Sequence, residues 1–93
     1  MLEKVKGALR ITTDAPGIVD DVQNLIDACK VDLKISGIAE SKINDDEDAL
    51  IERAIICYAK GHFGYDNPEA GRFLQSYEML KQHLSLASDY SAT

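Results

Sequence analysis

The run "AIICYA", residues 54 to 59, constrains the fold more than any other stretch of the chain. Apolar side chains point to nearly every side of the element that carries it. A helix without a polar face has to be surrounded, so the segment from about Glu47 to Phe63 is expected at the centre of a helical fold. With 93 residues there is room for one small domain around it and not for two. A domain of this size buries only about 60–65% of the surface its unfolded chain exposes, so its stability can lean on a partner or on self-assembly.

Three other segments carry helical periodicity. In "LEKVKGAL", residues 2 to 9, Leu2, Val5 and Leu9 form one stripe. "RITTDAPG" breaks that helix, offering Thr13 or Asp14 as the next N-cap and Pro16 for a first turn. From about Gly17 to Ser36 the stripe is Val22, Leu25, Cys29 and Leu33, flanked by Ile18 and Ile26. Asp20, Asp21, Asn24, Asp27 and Lys34 fill the opposite side. Gly37 is a suitable stop. "IAESKINDDEDAL" reads as a polar connection in which Asn44, Asp45 or Asp46 caps the next helix. The last helix, about Pro68 to Ala87, sets Phe73, Tyr77, Leu80 and Leu84 on one face. Residues 88 to 93, within the polar "SDYSAT", are expected to form a flexible, frayed tail. The expected architecture is all-α: a single small domain over residues 1–93, made of four helices with the third central.

"GHFGYDNPEAGRF", residues 61 to 73, mixes residue types that also build active sites. It reads as a helix junction. Gly64 supplies a left-handed end to the third helix. Asn67 caps the fourth with Pro68 at its first position, or Asp66 caps it with Glu69 reaching back. Phe63 and Phe73 then fall where they can pack across the turn, with Tyr65 half buried and its hydroxyl in water.

The formal charge of −6 is unevenly spread. Lys4, Lys6 and Arg10 against Glu3 make the N-terminal segment net basic. Glu40, Asp45, Asp46, Glu47, Asp48 and Glu52 against Lys42 and Arg53 make residues 37–53 net acidic. No Lys/Arg cluster suits a grip on a phosphate backbone, which weighs against a small helical DNA-binding regulator, the alternative reading. Neither the second nor the fourth helix presents a basic face to a major groove.

Other chemistries fare no better. Read as a calcium loop from Asn44, the acidic run puts Ala49 where glycine is needed and Ile55 where glutamate is needed. His62 and His83 lack ligand partners at helical spacing, so no metal site is expected. No Gly-rich phosphate loop and no nucleophile beside a base is evident, so neither a catalytic residue nor a cofactor is expected. Cys29 and Cys57 read as small core residues. Without a leader or a long apolar run, a reducing cytosolic setting is the expectation.

The wording of the chain adds a resemblance. "LEKVKGALRIT", "LIDACKVDLKISGI" and "RAIICYAKGHFGYDNPEAGRFLQSYEMLKQHLSLASDY" together resemble the phage head–tail connector family, also known as DNA-packaging or prophage adaptor proteins. The likeness runs over nearly the whole chain and is most specific in "FGYDNPEAGRF" leading into "SYEMLKQHLSL". One departure is "DAPGIVDD", where such proteins often open the second helix on an acidic run. The resemblance implies a virion protein of a tailed phage or prophage at the head–tail junction, made in the host cytoplasm. It implies small helical subunits that form a ring on the portal, that can be monomeric when free, and that extend the DNA channel and dock the next tail-completion protein. DNA would pass without specific binding, no membrane is involved, and neither catalysis nor a cofactor belongs to the role. The candidate contacts are Glu40, Lys42, Asp45, Asp46 and Asp48 in the connection, Asp89 and Tyr90 in the tail, and the basic Lys4, Lys6 and Arg10.

Overall fold

A computed structural model describes residues 1–64 and 67–92. Its elements are α1 (Leu2–Ala8), α2 (Pro16–Ile35), α3 (Glu40–Ile43), α4 (Ala49–His62) and α5 (Ala70–Leu86). The all-α class is as expected. Among the described residues there are five helices and not the expected four, because the 37–48 connection contains the one-turn α3. No extended strand occurs among the described residues, and a single antiparallel bridge joins Ile38 and Ser91.

The helix carrying "AIICYA" is α4, and it packs against α1, α2 and α5. Ile51, Ala54, Ile55 and Ala59 are fully buried, with Ile56, Cys57 and Tyr58 half buried around them. Alanines at 54 and 59 keep that side of α4 thin enough for neighbouring helices to approach closely. Gly61 extends the same principle: a methyl there would overlap the Leu74 side chain of α5. On α2 the buried stripe is Val22, Ile26, Cys29 and Leu33. Ile26 takes the place expected for Leu25, which is only half buried. Val5 of α1 and Tyr77 and Leu84 of α5 complete one continuous core with Ile38 and Ile43.

Several helix ends differ from expectation for local reasons. The α2 helix starts at Pro16 with Ala15 in the cap position, and neither Thr13 nor Asp14 caps it. Thr13 Oγ1 instead accepts the Ala15 N–H at 3.1 Å, and Asp14 pairs with Lys6. Proline at the first position carries no N–H that needs a partner, which lessens the need for a side-chain cap. The α4 helix is capped by Asp48 rather than by Asn44, Asp45 or Asp46. Its Oδ1 accepts the N–H groups of Leu50 and Ile51, each at 3.0 Å. Asn44 is occupied in ending α3, and Asp45 closes its own turn by accepting the Glu47 N–H.

At the α4–α5 junction Gly64 has φ +89, the left-handed conformation expected of it. Asn67 does double duty: Oδ1 accepts the Glu69 N–H at 3.0 Å, and Nδ2 donates to the Lys60 carbonyl at 2.8 Å. It therefore ties the turn to the last carbonyls of α4 instead of capping α5, whose first residue is Ala70. Phe73 lies beneath Lys60 Nζ, 5.2 Å from the ring centre, and both Phe63 and Phe73 line one surface cleft. The expectations for Tyr65 and for Asp66 as an alternative cap lie outside the described residues.

After α5 the chain turns back, and Ala39 N donates to Tyr90 O while Ala92 N donates to Gly37 O, each at 2.8 Å. Residues up to Ala92 are thus tied to the end of α2. The positive φ of Gly37, +96, turns the chain so that its carbonyl can meet them.

Candidate interaction surface

The connection and the tail, singled out separately in the sequence, meet in the fold. Tyr90 Oη donates to Asp48 Oδ2 at 2.8 Å, while the other oxygen of the same carboxylate caps α4. Lys42 Nζ stands 5.1 Å above the Tyr90 ring. Burial pushes the Asp48 carboxyl up, but the bonds from Ile51 N–H, Tyr90 and Leu50 N–H outweigh it and hold the carboxyl below its usual range. The same bond raises the Tyr90 hydroxyl. One acid therefore starts the central helix and fastens the tail.

The N-terminal segment closes the other side of the acidic turn. The Met1 amino group lies 3.2 Å from Asp46 Oδ2, and that contact holds the Asp46 carboxyl below its ordinary value. Lys4 Nζ donates to the Asp46 carbonyl and stands 3.8 Å from Glu52. Glu40 pairs with Lys34 at 2.6 Å, and that bond lowers its carboxyl. Asp45 and Glu47 are exposed, and no ion pair involves them among the described residues. Asp89 is exposed beside Tyr90.

Lys6 and Arg10, grouped with Lys4 in the sequence, part company in the fold. Lys6 is only 5% exposed, and its ammonium sits 2.6 Å from Asp14 Oδ1, a bond that raises the lysine and lowers the acid. It is committed within the subunit. Arg10 is exposed at the end of α1 with φ +60, and it lines a cleft of about 480 Å³ with Lys60, Phe63, Asn67 and Phe73.

Two features escaped the sequence reading. The cleft joins residues far apart in the chain, and no local pattern links Arg10 to Lys60. The exposed apolar side chains were legible in principle. Val31 and Ile35 stand 57% and 79% exposed on α2, away from its buried stripe, and Leu86 ends α5 at 86%. Their signal was an apolar residue on an otherwise polar side.

Among the described residues no group of acids, histidines and cysteines could hold a metal, and no helix is long and apolar enough to cross a membrane. Comparison with curated proteins finds no match. Comparison with solved structures likewise finds none. The family model described as "Phage connector protein" matches residues 1–91, which includes the whole core, the acidic connection and the tail through Ser91. By that match, the chain belongs to the phage connector protein family.

Proposed function

We propose that the chain is a head–tail connector subunit that assembles as a ring on the portal of a tailed phage or prophage. There it extends the DNA channel and presents a docking surface to the next tail-completion protein. The observation that carries this reading is the family match over residues 1–91, which takes in the whole core and the acidic connection. A structural role needs no catalytic residue or cofactor, and the proposal assigns none.

Two physical features support ring assembly. The surface keeps Val31, Ile35, Met79 and Leu86 more than half exposed, and neighbours in a ring would remove them from water. A closed ring also uses heterologous contacts, in which two different faces of each subunit meet. The uneven charge, acidic around Asp45–Asp48 and basic at Arg10 and Lys60, gives this chain two such faces. A net acidic subunit would in addition let a genome slide past without sticking.

The test is native mass measurement of the chain mixed with purified portal. Several copies added per portal are expected, with the free chain allowed to be monomeric because the portal can act as template. A chain that ignores the portal yet shifts duplex DNA at physiological salt would overturn the proposal in favour of a DNA-binding regulator.

A further inference from the structure

The cleft at the end of α1 carries two cations, and Glu69, the acid among its described lining residues, is paired with Arg72. Arg10 and Lys60 both line it, and neither forms an ion pair among the described residues. Lys60 is held over Phe73, and Arg72 stands over the same ring at 5.6 Å while paired with Glu69. Arg10 occupies the residue just past the helix end, in the left-handed conformation that favours glycine. The Ile11 N–H reaches back to the Lys6 carbonyl at 2.9 Å, closing the turn and fixing where the arginine departs from the backbone.

The opposite situation exists at the other end of α4. Asp45 and Glu47 are exposed acids without a cationic partner among the described residues, set in a turn that Asp45 itself closes. Between that turn and Lys60 lie most of the 14 residues of α4, a rise of roughly 20 Å. The acidic turn of one chain therefore cannot reach the cleft of the same chain. A second copy can supply it.

We infer that the Arg10–Lys60 cleft receives the Asp45–Glu47 turn of a neighbouring copy, forming the charged part of the contact that repeats around the ring. The inference rests on the ring reading and names the surfaces that meet. Each subunit carries one socket and one plug, so the contact is head to tail and closes when the rotation between neighbours closes. Opposite charges on the two surfaces speed encounter and fix register, and like charges placed together oppose it. The phenyl rings beside the cations lower the local exposure to water, which strengthens the pairing.

Charge reversal tests the pairing directly, with assembly on the portal read by native mass measurement. R10E/K60E, and separately D45N/E47K, are each expected to weaken copy-to-copy assembly at least ~tenfold. Asn at 45 keeps an oxygen to close the turn. The chain carrying all four changes is expected to recover assembly, because a negative socket then meets a positive plug. R10G guards against a folding artefact: glycine suits the backbone there, so the chain should fold at least as well yet assemble more weakly. Normal assembly by R10E/K60E, or no recovery by the fourfold variant, would overturn this pairing while leaving the ring reading intact. Failure of the unaltered chain to add several copies to the portal would overturn both.

Discussion

The Tyr77 hydroxyl, on a side chain 2% exposed, donates a 2.5 Å hydrogen bond to Asp32 Oδ2, joining α5 to α2 across the edge of the core. Lys81 Nζ reaches the same oxygen at 2.9 Å and also pairs with Glu78. Burial pushes the Asp32 carboxyl up, but the bonds from Tyr77 and Lys81 prevail and hold it below its usual value. The Tyr77 hydroxyl is pushed far above the ordinary tyrosine range by burial and by that same bond.

Replacing Tyr77 by Phe keeps the packed ring and removes only this bond. A hydrogen bond to a charged acceptor contributes about 1.5–3 kcal/mol. The Asp32 side chain is 38% exposed, so water can replace part of the loss and a value below that range, about 1 kcal/mol, is expected. For a chain of this size that lowers the melting temperature by about 4–8 °C. Calorimetry of Tyr77→Phe checks it, and an unchanged midpoint would show that the bond contributes nothing net.

The same carboxyl sets an acid limit. In the folded chain Asp32 holds its proton less firmly than in the unfolded chain, as do Asp46 and Asp48. Their contribution is complete above the ordinary carboxylate range near pH 4 and is lost as pH falls through their lowered values. Urea midpoints should be flat above about pH 5 and decline below pH 4. Asp32→Asn should shorten that decline.

The two cysteines are expected to separate chemically. Burial pushes the Cys29 thiol up to about 12, so it is neither ionised nor accessible at pH 8, whereas Cys57 is half buried. A thiol reagent should label Cys57 first and reach Cys29 only on unfolding, which peptide mapping can read. The raised value also fixes a sign. Above pH 9 the unfolded chain releases the Cys29 proton before the folded chain does, so stability falls between pH 9 and 12. Cys29→Ala should make that fall shallower, with the raised hydroxyls of Tyr77, Tyr90 and Tyr58 contributing to what remains.

Elements whose identity depends on one face were legible in the sequence. "AIICYA" places α4 at the centre because six residues carry the argument by themselves, and Gly37 and Gly64 end helices where their φ requires glycine. What the sequence hid depends on competition between nearby groups. Four acids and an amide precede α4, and only geometry shows that Asp45 spends its oxygen on Glu47 while Asp48 caps. Polar composition reads residues 88 to 93 as a frayed tail, whereas two backbone bonds join Tyr90 and Ala92 to residues 39 and 37, and backbone bonds leave no mark in composition. The cleft of Arg10 and Lys60 was invisible for a third reason: it forms only when α1 packs on α4.

Because Asp48 both caps α4 and holds Tyr90, changes there should separate into two effects. Asp48→Ala removes the cap and the tail bond, with a loss of about 1–2 kcal/mol expected from the cap alone. Tyr90→Phe leaves the cap intact and frees only the hydroxyl bond. Hydrogen exchange resolves the two: Tyr90→Phe should speed exchange at the Ala39 and Ala92 amides with little change in α4. Asp48→Ala should speed all of them, including the first turn of α4.

Gly61 gives the sharpest contrast between propensity and packing. Alanine is favoured over glycine in a helix interior by about 0.8–1 kcal/mol, so Gly→Ala in α4 would raise stability if packing were indifferent. At position 61 the added methyl would overlap Cδ2 and Cγ of Leu74, and it would stand 3.4 Å from the Ala70 carbonyl. Leu74 would have to move, and with it the contact between α4 and α5 next to the junction. Overpacking of this kind costs about 1–3 kcal/mol, which outweighs the propensity gain. Gly71 in α5 meets nothing within 4 Å, so the same substitution there should be neutral or stabilising by up to about 1 kcal/mol. Thermal melts of Gly61→Ala and Gly71→Ala, run side by side, should move in opposite directions. A rise in both would mean that Leu74 yields freely and that the α4–α5 contact is looser than its geometry requires.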